Sequence, residues 1–570
     1  MQSLKKKIAC GISSAISEIF GYNENLEAEI YPMLEYPPDK GMGDLALPCF
    51  KFAKILRKAP PMIAAAIAEK LSIPEVEKAV ALNGYLNIYL SDEFYIGKVL
   101  PEIMEKGSDY GKGEIGKGKT VVLDYSSPNI CKPFHIGHLG TTVIGHSIKL
   151  LHEFAGYNCV GINYLGDWGT QFGKLITAYR MWGSREMVEE GGIDVLVDLY
   201  VKFHEEAEKD GSLNDVARAE FHKLELGDEE NTELWKWFKE ISLAEYEKTY
   251  KQLGITFDSY NGESFYTDKM PAQVQALRDK DLLKIDDGAS IVDLSEFNMQ
   301  PCLILKRDGS TLYPTRDIAA AVYRKNEYNF DKCVYVTAAA QSLHFAQWFK
   351  VVELMGYPWY NELVHVPYGT ISVNGVKLST RHGNVLLLRD VFGAAIEKVT
   401  AVIDEKNPNL ENKAETAEAV GVGAIIFYYL LNSIIKDSSF IMDDALSFEG
   451  NTGPYAQYTY ARTCSVLAKV GKDVDCSSLS ISKNEERELL KTLSRFAEVA
   501  EKALREYEPS YITRYILDVC TAFNRFYHEC PIAGAEDEKI RNTRKAITKA
   551  ANTVLESALH LICMKTPEKI

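Results

Sequence analysis

Apolar positions follow two rhythms along this chain, and the point where each takes over sketches its organisation. Ile8, Ile12, Ile16 and Ile19 recur at helical spacing, which predicts an amphipathic first helix. Lys5, Lys6 and Lys7 precede them, as in a leader peptide, but Ser17 and Glu18 interrupt the apolar stretch and favour the helix. Residues 1 to about 110 mix helical and short strand patterns, and Pro60-Pro61 breaks the chain before an apolar helix over Ile63–Leu71. A glycine- and lysine-rich stretch, 111–119, then reads as a flexible boundary.

Beyond it the rhythm alternates. Val121–Tyr125 reads as a buried strand, Pro133–Phe154 as a helix stopped by Gly156, and Cys159–Tyr164 as a second strand. Strand character returns at Cys333–Thr337 and Leu363–Pro367, with a helix over Ser342–Met355 between them. Strands alternating with helices predict a doubly wound, Rossmann-type parallel sheet. A charged helical stretch at about 180–255 reads as an insertion in it. From about 415 every periodic segment is helical: Val422–Lys436, Tyr455–Val470, Glu485–Tyr507, Ser510–Glu529 and Lys539–Cys563. The expected division is an α+β domain over 1–112, an α/β domain over 118–415 and an all-α domain over 416–570.

Composition narrows the function classes without choosing one. With 570 residues, 46% of them apolar and 25% charged, the chain has the balance of a multidomain globular protein. Its longest strongly apolar run, Ala419–Leu431, falls short of the ~20 residues that cross a bilayer. Eleven cysteines contain no CxxC pair, which argues against a disulfide framework or zinc ribbon and fits a reducing, cytoplasmic setting. The net charge of −16 is unevenly spread. Residues 450–570 carry 18 Lys and Arg against 16 Asp and Glu, so the remainder holds −18. A weakly basic helical region on an acidic body permits phosphate contact without demanding it.

The chemistry concentrates in Ser126-Ser127-Pro128-Asn129-Ile130-Cys131-Lys132-Pro133-Phe134-His135-Ile136-Gly137-His138, between a strand end and a helix start. Ligands bind there in doubly wound sheets, and the helix dipole and its free amides favour phosphate. His135 and His138 lie three apart on one helix face, and Gly137 lets a flat base approach the backbone. Taken alone, the pair also fits capping histidines, or two ligands of a metal that lacks a third. A second element follows about 240 residues later, at Ser372–Asn384. There Asn374-Gly375 predicts a tight hairpin turn, and Lys377 and Arg381 make the following loop cationic enough to close over pyrophosphate.

With the His-Ile-Gly-His motif after the first strand and a KMSKS-like loop after the last, the chain resembles the class I aminoacyl-tRNA synthetases. Several segments look like the arginine-specific family: Ser126-Ser127-Pro128-Asn129, Gly166-Asp167-Trp168-Gly169, Tyr313-Pro314-Thr315-Arg316-Asp317, Gln341-Ser342-Leu343-His344, Asn451-Thr452-Gly453-Pro454-Tyr455 and Phe523-Asn524-Arg525-Phe526-Tyr527. Gly43-Asp44-Leu45-Ala46 resembles that family's extra N-terminal tRNA-binding domain, and the likeness runs through nearly the whole chain.

The resemblance implies ATP and L-arginine as substrates, Mg²⁺ on the phosphates, no zinc, tRNA(Arg) as partner, and no DNA or membrane. A monomer is the default, since no dimer motif stands out. The resemblance assigns His135, His138 and Lys377 to catalysis, and Pro133, Ile136, Gly137 and Ser379 to ATP alongside them. It assigns Asp124, Ser127, Asn129, Glu263, Tyr313, Asp317 and Gln341 to arginine. Physically, a guanidinium is a planar fork of donors that needs paired carboxylates and an aromatic neighbour. Tyr313 and Asp317, four apart at a helix start, can share a face. Asn129 and Gln341 suit the substrate's α-amino and carboxylate groups. Among the C-terminal aromatics, Tyr455 and Tyr458 are nominated for tRNA, although a helical domain also buries aromatics in its core.

Two departures stand out. Thr380 replaces a lysine of the loop, which leaves Lys132 or Arg381 to supply the charge; Cys131 stands where the family commonly has a smaller residue. The competing readings are a synthetase for glutamate, cysteine or lysine, a catalytically silent RNA-binding relative, and a small-molecule nucleotidyltransferase.

Overall fold

The computed structural model describes residues 1–373, 376–377, 386–471, 473–476, 478–535 and 537–570, and the side chains of all of these but 40, 373, 376 and 377. At the N-terminus the helix Gln2–Phe20 buries Ile8, Ile12 and Ile16 and leaves Ile19 at the surface. It belongs to a unit whose sheet is antiparallel, with Tyr85–Leu90 between Leu45–Pro48 and Val76–Leu82. Pro60 and Pro61 open the helix Pro60–Lys70, where a missing amide hydrogen costs nothing. This unit is tied to the C-terminal helices by buried Asp44, which lies 3.0 Å from both Arg487 and Lys491.

The stretch 111–119 is not the flexible link its composition suggests. Gly113 donates to Phe154 and Gly116 to Ala155 through backbone hydrogen bonds, and a Cβ on Gly116 would overlap Tyr157. Gly116 is there for close approach, whereas Gly118, at a φ of 77° with open space around it, serves the backbone conformation.

The parallel sheet has the expected doubly wound form. Its order is Leu363–Tyr368, Lys332–Ala338, Thr120–Asp124 and Asn158–Ile162, all parallel. The chain leaves Thr120–Asp124 for one neighbour and returns to the other, so the carboxyl end of that strand is a topological switch point. The helical insertion is also present, as Thr170–Trp182, Arg185–Lys209, Leu213–Glu225 and Glu229–Leu253.

Unforeseen is a second antiparallel sheet of Leu283–Asp286, Ala289–Val292 and Cys302–Leu305. Its turn, Asp287-Gly288 with φ of 45° and 80°, is a hairpin signal flanked by strands too short to register as periodic.

The C-terminal region departs from its expected pattern in three places. The helix expected at Val422–Lys436 runs Lys413–Leu431. That expected at Glu485–Tyr507 breaks into Asn484–Leu493 and Phe496–Glu506. A short strand, Ser438–Phe440, pairs in parallel with Ile371–Val373, so not every segment after 415 is helical. Lys413–Leu431 is long and apolar enough to cross a membrane by length and composition, yet 67% of that window is buried inside the protein. It packs as a core helix against Leu388–Lys406 and Gly453–Val470.

Candidate active site

The loop after Asp124 is held in an expensive conformation. Ser126, Ser127 and Cys131 have φ of 69°, 46° and 58°, a left-handed backbone that non-glycine residues hold only when their surroundings fix it. Here they do. Ser126 Oγ lies 2.8 Å from both Thr142 Oγ1 and Tyr250 Oη, and the Ser127 amide donates to Asn163 Oδ1. Asn129 bridges to Gly166, where any Cβ would overlap its side chain. That contact gives the first glycine of Gly166-Asp167-Trp168-Gly169 its physical role.

His135 is the cap of the helix Ile136–Phe154 rather than part of it. Its Nδ1 accepts from the Gly137 amide, and His138 Nδ1 accepts from the His135 amide, both at 3.1 Å. The rings stack with centroids 3.7 Å apart. Both Nδ1 atoms are acceptors, so each ring carries its proton on Nε2. Burial, with Lys132 adding to it, lowers His135 to about 4, and burial holds His138 well below its usual range. The pair therefore forms two neutral Nε2–H donors.

The free amides expected at this helix start are occupied. Ile136 donates to Leu386 and His138 to the His135 carbonyl, which with the two caps uses all four amides from His135 to His138. A phosphate here would meet imidazoles and the dipole, not backbone donors.

A cavity of about 520 Å³ opens at the switch point. All seven residues expected to bind arginine line it: Asp124, Ser127, Asn129, Glu263, Tyr313, Asp317 and Gln341, with His138 at its edge. A neighbouring cavity of about 260 Å³ is lined by His135, Gly137, Gly140 and Lys436, and shares Ala338 and Tyr368 with the first. Pro133 and Ile136 line neither, and Ile136 is fully buried.

The three carboxylates are not free acceptors, as the sequence suggested, for each has a partner from the chain. Asp124 meets Arg324 at 2.8 Å, Glu263 meets Arg316 at 2.9 Å, and Asp317 meets His344 at 2.6 Å. Burial pushes Glu263 up to about 7 even with Arg316 beside it, and Asp317 and Asp167 add to the rise. Tyr313 stands 65% exposed at the start of the helix Tyr313–Tyr328, its ring 5.8 Å from the Arg316 guanidinium. Arg324 escaped the sequence reading. Its signal was there, since it lies seven residues after Asp317 and thus two turns along the same helix face.

Lys132 is half-buried with no ion-pair partner among the described residues, and burial lowers its pKa. Lys377 lies in the strand Val376–Lys377, opposite Ser372. Asn374, Gly375, Ser379, Thr380 and Arg381 lie outside the described residues.

On the helical face, Tyr458 is exposed with the Arg462 guanidinium 5.0 Å above its ring, and Arg462 also lies 5.4 Å from the Tyr527 ring. Tyr455 accepts from Asn524, while Tyr460, Phe523 and Phe526 are core. All eleven cysteines are free.

A doubly wound sheet with stacked histidines at its switch point, an adjoining cationic hairpin and a helical C-terminal domain define a class I aminoacyl-tRNA synthetase, and comparison agrees. The class I (R) tRNA synthetase catalytic-domain model matches residues 99–442, the DALR anticodon-binding domain 456–570, and the arginyl-tRNA synthetase N-terminal domain 3–90. Arginine–tRNA ligases of Alkaliphilus metalliredigens and Halothermothrix orenii are 48% and 49% identical over 573 and 574 residues, covering 100% of both chains in each case. The solved arginyl-tRNA synthetase of Thermus thermophilus superposes with a TM-score of 0.83 at 25% identity, covering 100% of each chain.

The chain belongs to the arginyl-tRNA synthetase family. Its activity is that of an arginine–tRNA ligase, with ATP, arginine and tRNA(Arg) as substrates. The readings as a glutamate, cysteine or lysine synthetase, a silent relative or a nucleotidyltransferase fall away.

Proposed function

We propose that arginine lies in the larger cavity with its guanidinium between Asp317 and Glu263 and Tyr313 beside its plane. Its α-amino and carboxylate groups reach Asn129, Gln341 and the Ser127–Asp124 pair. What carries this reading is that one cavity gathers all seven residues, drawn from four separate stretches of chain, with His138 also lining it.

MgATP enters as substrate over Gly137, with its phosphates facing His135 and His138, Pro133 and Ile136 shaping the turn behind them. Lys132, Lys377, Ser379 and Arg381 serve the phosphate side. An arginine carboxylate oxygen attacks the α-phosphorus and the bond to the β-phosphate oxygen breaks, releasing pyrophosphate. The two Nε2–H groups donate to phosphate oxygens as charge builds there. The terminal ribose hydroxyl of tRNA then attacks the arginyl carbonyl carbon, and AMP leaves. No protein nucleophile is needed; the chain supplies positioning and charge stabilisation.

The surface formed by exposed Tyr458 with the half-buried Tyr455 and Arg462 receives anticodon bases by stacking. The enzyme works as a monomer in the cytoplasm; its eleven free cysteines support the reducing compartment. Charging of tRNA tested with all twenty amino acids checks the whole scheme, and efficient charging with lysine would overturn the pocket. Adenylate formation with and without tRNA tests a second expectation from the family, that the first step needs bound tRNA.

A further inference from the structure

Arg324 is the most deeply buried cation beside the arginine cavity, and nothing in the reaction above uses it. Its side chain is 1% exposed, yet it lines a cavity that must accept another guanidinium. A second buried positive charge should repel the substrate, so its retention needs a physical reason.

The geometry supplies one. Arg324 Nη2 lies 2.8 Å from Asp124 Oδ2, while the Ser127 hydroxyl donates to Asp124 Oδ1 at 2.9 Å. Both carboxylate oxygens are therefore held, and the plane of the group is fixed. The guanidinium is enclosed by Tyr164, Tyr335 and Tyr266, whose ring centroids lie 5.2, 5.5 and 6.0 Å away. Aromatic faces stabilise a cation without consuming its donors. None of its three guanidinium nitrogens makes a hydrogen bond among the described residues, so the contact with Asp124 is an ion pair.

Charge balance points the same way. Three carboxylates line this cavity, and Arg316 and Arg324 stand against two of them. With all three ionised, one carboxylate charge is left over for one guanidinium.

We propose that Arg324 is a positioning residue for arginine selection: it fixes the Asp124 carboxylate and cancels its charge, so that the cavity is matched to a single monocationic guanidinium. This rests on the reading of the cavity as the arginine site. A lysine cannot replace Arg324, because a compact ammonium lacks the delocalised guanidinium that the three rings enclose.

The test is steady-state tRNA aminoacylation by the full-length chain, with arginine and ATP varied separately. The variants are Asp124→Asn, Arg324→Lys and the double Arg324→Met/Asp124→Asn, each checked for folding by thermal unfolding. Arg324→Lys should raise KM for arginine about tenfold or more while KM for ATP moves less than about twofold. The double variant should be no worse for arginine than Asp124→Asn alone, because removing both charges leaves none unpaired.

The proposal is overturned if Arg324→Lys leaves arginine KM unchanged or raises both constants equally. It is equally overturned if the double variant shows the product of two independent losses or fails to fold where Asp124→Asn folds. If Asp124→Asn itself leaves arginine KM unchanged, the failure lies instead with Asp124's place in the pocket.

Discussion

At the proposed arginine end of the cleft every carboxylate already has a partner from the chain: Arg324 for Asp124, Arg316 for Glu263, His344 for Asp317. At the phosphate end the arrangement is reversed. Two imidazoles are held neutral, the helix-start amides are consumed by caps, and Lys132 stands half-buried with no ion-pair partner among the described residues. One end has paired its charges before substrate arrives, and the other keeps donors in reserve. The difference follows from what each must do. Selecting a guanidinium requires acceptors fixed in the ground state, whereas phosphoryl chemistry gains from donors that meet charge only as it develops.

The largest effect should come from breaking the paired end. Asp317→Ala removes a carboxylate expected to meet the substrate and should cost about 3 kcal/mol or more, roughly a hundredfold rise in KM for arginine. KM for ATP should stay within about twofold. His344 loses its partner in the same variant, so His344→Asn serves as the control. If Asp317→Ala raises both constants alike, Asp317 is not a pocket residue.

At the reserve end, His138→Ala should lower kcat for adenylate formation about a hundredfold and leave arginine KM nearly unchanged. Burial lowers His135 to about 4 and holds His138 well below its usual range, so both stay neutral as pH falls from 8 to 6. His135→Gln, which keeps a neutral N–H donor, should therefore preserve the shape of the kcat–pH profile over that range. A histidine-dependent step near pH 6.5 that His135→Gln abolishes would show that these rings act as cations.

Smaller again is the contribution of Lys132. With Thr380 where a lysine is expected, one cation at the pyrophosphate is missing, and Lys132→Ala or Arg381→Ala should slow activation about tenfold. Normal activation rates in both variants would remove each from the phosphate site.

The contrast between the two ends was only half visible in the sequence. His135, His138, Tyr313 and Asp317 could be read from spacing and motif, and so could the parallel sheet, because buried strands leave long apolar runs. Pairing could not be read. Arg316 sat in plain view beside Asp317, but its reach to Glu263, 53 positions earlier, is a tertiary fact. Arg324 carried a helical-spacing signal only against a known neighbour. The capped amides were read as free because the phosphate-binding reading of the histidine pair was preferred, although capping histidines were its alternative. The strand Ser438–Phe440 has three residues and no period of its own; it exists because Ile371–Val373 offers an open edge.

Glu263 offers the finest test, because its charge is in balance near neutrality. Burial raises it to about 7 despite Arg316 at 2.9 Å. Its charged form is the one that attracts a guanidinium, so arginine binding below pH 7 must first expel a proton from it. Raising the pH should therefore tighten arginine binding, and lowering it should release a proton requirement onto KM. For a group titrating near 7, the ionised fraction rises from about a quarter at pH 6.5 to about three quarters at pH 7.5, a change of roughly threefold. KM for arginine should fall by about that factor over this interval, beyond any change in KM for ATP. In Glu263→Gln the dependence should vanish, leaving a weaker, pH-independent affinity near the low-pH limit of the parent. Were the Glu263→Gln profile to keep the same slope, the titrating group would lie elsewhere, and the Arg316 pair would have to be regarded as fully ionised before arginine arrives.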